Sequence, residues 1–219
     1  MHQSSDKSEA LSFLADVLMP GPYQCLLCEE EDLIGEDGLC AKCRANLRYC
    51  PNPTFLAPLD GITVGLMYSK ELSAAIMRYK KRGLREYARF FTQYLSVPSE
   101  WHADLLVPVP MHPFRRWQRG FNHTELLAAY LSHAVNIPFS TQLLHKTRLG
   151  VEQKRIQDPA ERRRNIRGSF AADPLVKGLR IVLIDDVFTT GATVYECARV
   201  LKQAGAKKVY LAAVTSPAR

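Results

Sequence analysis

Against a mostly alternating background of polar and apolar positions, Ile181-Val182-Leu183-Ile184 stands out as four consecutive aliphatic residues. Such a run predicts a strand buried on both faces, as in a parallel α/β sheet. Beyond it, Val194 to Leu201 repeats apolar residues at helical spacing, and Lys208 to Thr215 predicts a late strand. Upstream, Ile62 to Tyr68 reads as a strand. Glu71 to Tyr94 reads as helical, with Ile76, Phe90 and Phe91 apolar and Gly83 separating two helices after the basic run Arg78 to Arg82. Asp104 to Pro110 reads as a strand that ends at a site, because Pro110 cannot continue a central ladder. The helix expected from His123 to Ala134 carries Leu126, Leu127 and Leu131 on its apolar face. Leu11, Leu14, Val17 and Leu18 mark a short docking helix that stops at Met19-Pro20-Gly21-Pro22. Residues 146–168, rich in Lys, Arg and Gln, show little periodicity and are expected to form a mobile loop or weak helix.

These elements predict an α/β fold, a parallel sheet flanked by helices, joined to a small N-terminal module. The expected domains are 1–58 and 59–219, with Pro51, Pro53 and Pro58 marking the linker. A chain of 219 residues has room for both. No apolar run approaches the roughly 20 residues that span a bilayer, and acids interrupt the early apolar stretch, so neither membrane insertion nor export is expected and the reading is cytoplasmic.

Charge divides the chain. Residues 1–50 hold four Lys/Arg against nine Asp/Glu, a net −5, whereas residues 51–219 hold 25 against 13, a net +12. A basic α/β part suits an anionic ligand or nucleic acid, although solvated surface cations account for part of such an excess.

Five of six cysteines fall between Cys25 and Cys50. Cys25-x-x-Cys28 and Cys40-x-x-Cys43 have the spacing of two metal knuckles, each aiming two thiolates at one point. A structural Cys₄ zinc site is expected; iron–sulfur ligation and redox-active thiols are the alternatives, and disulfides suit a chain with no export signal less well. Cys50 and Cys197 are read as free thiols.

After the aliphatic strand come Asp185 and Asp186, then Thr189, Thr190, Gly191, Ala192 and Thr193 leading into the helical segment. A helix N-terminus behind small, hydroxylated residues offers N–H donors and a positive dipole end to a phosphate. Acids beside it suit sugar hydroxyls or a hydrated metal ion. Ribose 5-phosphate presents both demands a few ångströms apart. The competing reading is a strand ending in an acidic turn with a threonine N-cap.

This segment closely resembles the phosphoribosyl pyrophosphate (PRPP) signature of type I phosphoribosyltransferases. With Met19-Pro20, the cysteine knuckles, Tyr79-Lys80-Lys81-Arg82-Gly83, Val107-Pro108-Val109-Pro110 and Arg119-Gly120-Phe121-Asn122, the whole chain resembles the ComF/GntX family. Only the first half of that family's second knuckle is kept, at Cys50-Pro51. The resemblance implies that Asp185 and Asp186 hold the ribose hydroxyls and serve any catalysis. It assigns the 5-phosphate to Thr189, Thr190, Gly191, Ala192 and Thr193, and pyrophosphate to Pro110, Met111, Arg115 and Arg119. It further implies Mg²⁺ with PRPP, a role in DNA uptake and natural competence, and phosphoribosyl transfer to an unassigned nitrogen acceptor if catalysis is retained. The alternative is a non-catalytic adaptor for single-stranded DNA, working beside a helicase-like competence ATPase and recombination proteins. For that reading Arg115, Arg116, Trp117, Arg119 and Phe121 interleave cations with stacking faces.

Overall fold

The computed structural model describes residues 24–50, 56–111, 116–117, 120–147 and 166–217. The expected helix at 8–18 and most of the 146–168 segment lie outside these residues. By compactness the chain separates into two units, Met1–Leu47 and Arg48–Arg219.

In the first unit, tight turns dominate. Bridges Gln24 to Glu31 and Ile34 to Cys40 fold the chain back twice, and Glu29 and Gly38 take positive φ at the bends. The one short helix described there, α1 (Ala41–Asn46), is capped by the Cys40 sulfur, which accepts from the Cys43 N–H.

The second unit is built on a parallel sheet. Its strands are β1 (Gly61–Met67), β2 (Leu105–Pro108), β5 (Arg180–Val187) and β6 (Lys208–Ser216), in spatial order β1-β6-β5-β2. A separate antiparallel pair joins β3 (Leu144–Lys146) to β4 (Phe170–Ala172). Helices α2 (Lys70–Arg82), α3 (Arg85–Thr92), α4 (His123–Val135) and α5 (Ala192–Gln203) complete the unit. Among the described residues no helix is long and apolar enough to cross a membrane.

The aliphatic run explains the layering. Ile181, Val182, Leu183 and Ile184 are all fully buried, and each such side chain contributes about 1.5–3 kcal/mol by leaving water. Strand alternation sends Ile181 and Leu183 into one core with Val194, Cys197, Ala198 and Leu201 of α5. Val182 and Ile184 face the opposite side, where α4 lies on β2 and β5. Register between β2 and β5 is pinned at its start by Arg180, whose guanidinium grips both Asp104 oxygens at 3.0 and 2.6 Å while its N–H donates to the same carboxylate. Pro108 closes β2 opposite Ile184, on a strand whose other neighbour is only the bridge to Phe139. Its missing donor is therefore tolerated near the sheet edge.

β5 runs through Val187 rather than ending at Ile184, so both aspartates belong to the strand. The β3–β4 pair, which brackets residues 148–165, was not anticipated. Its return arm is tied to α5: the buried Glu196 accepts the Gly168 N–H at 2.7 Å and is itself gripped by Arg199.

Gly83 ends α2 with φ +62°, and a Cβ there would meet the Phe121 ring at 2.7 Å. Gly120 also has positive φ, but open space surrounds it. Gly83→Ala should therefore cost about 2 kcal/mol and Gly120→Ala about 1 kcal/mol, measured as shifts of the urea midpoint. Equal effects would deny the Phe121 contact its role.

Candidate functional site

Both candidate centres follow from local chain geometry. In the first unit, the sulfurs of Cys25, Cys28, Cys40 and Cys43 all lie within 4.8 Å of one another. A tetrahedral zinc with bonds of about 2.3 Å sets its sulfurs about 3.8 Å apart, and Cys28 and Cys40 already stand at 3.9 Å. None of these thiols is in a disulfide. The Cys40 N–H points at the Cys25 sulfur and the Cys43 N–H at that of Cys40, both at 3.4 Å. Burial opposes thiolate formation at Cys25, yet backbone N–H donors from Cys28 and Cys40 bring its pKa down to about 7. Cys43 is pushed far up by burial and then by the Cys28 and Cys40 sulfurs. Four sulfurs this close repel as anions unless a cation sits among them, and the donor set fits zinc.

In the second unit, the candidate site forms at the carboxyl ends of β5 and β2. There the neighbouring helices lie on opposite faces, α5 on one and α4 on the other, which opens a crevice where open α/β sheets receive ligands. The Thr189–Thr193 segment turns from β5 into α5. Gly191 is the N-cap, at φ +69°, and no side chain caps the helix. A Cβ on Gly191 would lie 2.5 Å from Leu56 and 2.8 Å from the Phe188 ring, so glycine is required by both conformation and space. Thr189 is exposed, Thr190 and Thr193 are half-buried, and Ala192 is buried. The helix supplies no acceptor for the N–H groups of its own first turn.

The two acids do not share a face. Asp185 follows Leu183 onto the α5 side, half-buried, with one oxygen accepting the Asp186 N–H at 3.0 Å. Burial, and then the charge of Asp186, push its pKa well up. Asp186 follows Ile184 onto the other side and is only 3% exposed. There Lys80 of α2 lies 2.6 Å from one oxygen and His123 of α4 lies 3.6 Å from the other. Burial works against the Asp186 charge, but Lys80 and then His123 hold this carboxyl far below the usual range. Tyr79 donates to the His123 carbonyl at 2.6 Å, and the His123 Nδ1 is buried without a hydrogen-bond partner. His123 was missed by sequence reasoning; its position directly after the Arg119-Gly120-Phe121-Asn122 motif was the available signal.

Pro110 and Met111 line a cavity of about 200 Å³ together with Arg116, Asn122, Glu125 and His145. Neither aspartate lines it. Glu125 pairs with Arg116 at 3.0 Å. Of the residues expected to contact nucleic acid, Trp117 is 80% exposed, whereas Phe121 is half-buried with its ring against Gly83. Arg115 and Arg119 lie outside the described residues.

Removing two of the four thiols tests the metal centre. Cys25→Ser with Cys28→Ser should lower bound zinc from about one per chain to below about a tenth, by elemental analysis of anaerobically purified protein.

Comparison with known proteins agrees with the α/β fold. The phosphoribosyl transferase domain model matches residues 125–218. Competence protein F of Haemophilus influenzae is 25% identical over 216 residues, covering 85% of this chain and 94% of that protein. The DNA utilization protein YhgH of Escherichia coli O157:H7 is 28% identical over 216 residues, 86% of this chain and 94% of that one. Competence protein ComFC of Bacillus subtilis is 31% identical over 142 residues, 63% of this chain and 56% of its own. Along most of its length the chain is similar to competence protein F and to YhgH, and over 142 residues to ComFC, with a match to the phosphoribosyl transferase domain in its C-terminal part.

Proposed function

We propose that the second unit binds PRPP or a closely related phosphoribosyl ligand at the carboxyl end of β5, and that the protein acts in DNA uptake or utilization, as the names of its relatives indicate. The observation that carries this reading is the Thr189–Thr193 turn. It is a tight, small-residue loop, forced by Gly191 onto the start of α5 and next to an acid on the same sheet face. N–H donors receive the 5-phosphate, the threonine hydroxyls add further donors, and the acidic end of β5 meets the ribose hydroxyls.

On the β2 side, Pro110 and Met111 border a space for pyrophosphate, and Arg115 and Arg119 are the guanidinium groups that the sequence offers as its bidentate partners. Mg²⁺, when bound with PRPP, neutralises the pyrophosphate charge that would leave. The protein's own part is to fix the phosphate at one end and the hydroxyl edge at the other, which holds the anomeric carbon open to an incoming nitrogen. The zinc module would act structurally, since protein sulfurs fill all four positions.

Calorimetry tests the assignment. The wild type should bind PRPP and, more weakly, ribose 5-phosphate, and Gly191→Ala should lower both affinities at least about tenfold. Heatless titration of the wild type with both ligands, confirmed by a second binding method, would sink the reading.

A second reading, single-strand binding beside this site, is favoured by the Trp117 ring, 80% exposed next to Arg116. Trp117→Ala should weaken binding of an oligothymidine about tenfold, and log affinity should fall linearly with log salt. Unchanged affinity in that variant would remove this surface from the path of the strand.

A further inference from the structure

We propose that the turn joining α2 to α3, with the exposed cations Lys81, Arg82, Arg85 and Arg89 around it, binds the phosphate backbone of a single-stranded nucleic acid. The proposal rests on the single-strand reading of the Arg116–Trp117 surface and extends it to two helix ends which that reading leaves out.

Composition comes first. Between Arg78 and Arg89 the sequence holds six Lys/Arg and one acid, Glu86. Two of the six are used by the fold: the Lys80 ammonium reaches Asp186 at 2.6 Å, and the Arg78 guanidinium donates to the Tyr87 hydroxyl at 3.0 Å while lying over its ring. The other four are exposed. Among the described residues, Lys81, Arg85 and Arg89 have no carboxylate partner.

Placement comes second. Lys81 and Arg82, in the last turn of α2, suit its negative dipole end, so the fold alone accounts for them. Arg85 and Arg89 are different. Arg85 is the first residue of α3, at the end where a cation opposes the dipole, and no side chain caps that helix. It also stands four residues from Arg89, the spacing at which like charges repel. A polyanion lying across the two would offset that repulsion.

Continuity comes third. The Phe121 ring lies against Gly83 inside the turn, and the Gly120 N–H donates to the Arg116 carbonyl at 2.8 Å. Arg116 and the exposed Trp117 are therefore fastened within about one helical turn of the Phe121 seat. The Arg78–Tyr87 contact braces the turn from the helix side, so its cations are held in place before a ligand arrives. Guanidinium groups outnumber ammonium groups here, which suits bidentate contact with phosphate oxygens. Trp117 and Leu84, the latter 42% exposed at the turn, offer flat and apolar surface to base faces that only an unpaired strand presents.

Fluorescence anisotropy of the full chain with a labelled oligothymidine of about 20 nucleotides tests the surface. Arg85→Gln with Arg89→Gln should weaken binding at least about tenfold and reduce the slope of log affinity against log salt by about 1.4, the share of two phosphate contacts. Its melting temperature should stay at or above that of the wild type, because a like-charge pair is removed. Arg85→Lys with Arg89→Lys should keep the slope and bind within about threefold of the wild type. Lys177→Gln with Lys207→Gln removes equal charge from exposed positions beside the starts of β5 and β6 and should leave affinity within about twofold. Equal losses in this control and in the Arg85/Arg89 variant would reveal a diffuse charge effect and overturn the proposal. So would a large fall in the melting temperature of the glutamine variant, which would make the arginines structural. If the wild type binds the oligonucleotide and only Trp117→Ala weakens it, the extension fails and the single-strand reading stands. If the wild type binds phosphatidylserine vesicles but no oligonucleotide, both fail and the turn is a lipid-docking surface.

Discussion

The second unit depends on one constraint, the burial of β5 on both faces by α-helical layers. A strand in that position has no polar side to spare, so any charged residue it carries must lie at its exit or find a counter-charge inside. Both solutions occur in consecutive residues. Asp185 stands half-buried at the α5 side, and Asp186 is neutralised by Lys80 from another element. Isolated, a carboxylate so deeply placed would be expelled or protonated. Its presence requires α2 to deliver an ammonium there, which in turn fixes where α2 must stop.

Much of this was legible in the chain. The four aliphatic residues of β5 announced a two-sided burial because a strand covered on one face alone would have alternated with polar residues. The Gly83 break and the start of a helix at His123 lay where the sequence placed them, and the cysteine spacing located four sulfurs that the fold brings together. The parallel sheet and the helix after the threonine turn followed from the same periodicities.

What stayed hidden depends on contacts distant in sequence. Lys80 and Asp186 are separated by more than half the second unit, and nothing local to either residue reports the pairing. The strand length was also hidden, because aspartate is a poor strand former and only the neighbouring β6 ladder carries β5 on to Val187. For the same reason the opposite orientation of the two acids could not be read from their adjacency. Nor does the sequence show that the half-buried Phe121 ring lies against Gly83, where the absence of a side chain makes room for it. The β3–β4 pair was missed because three-residue strands are too short to show alternation.

Helix α5 begins at the threonine turn and, one turn further on, carries the glutamate that anchors Gly168. A helix is stiff over so short a distance, so these two attachments move as one lever. The Gly168 attachment and the Gly191 cap are consequently held at a fixed spacing along one helix, with no hinge between them.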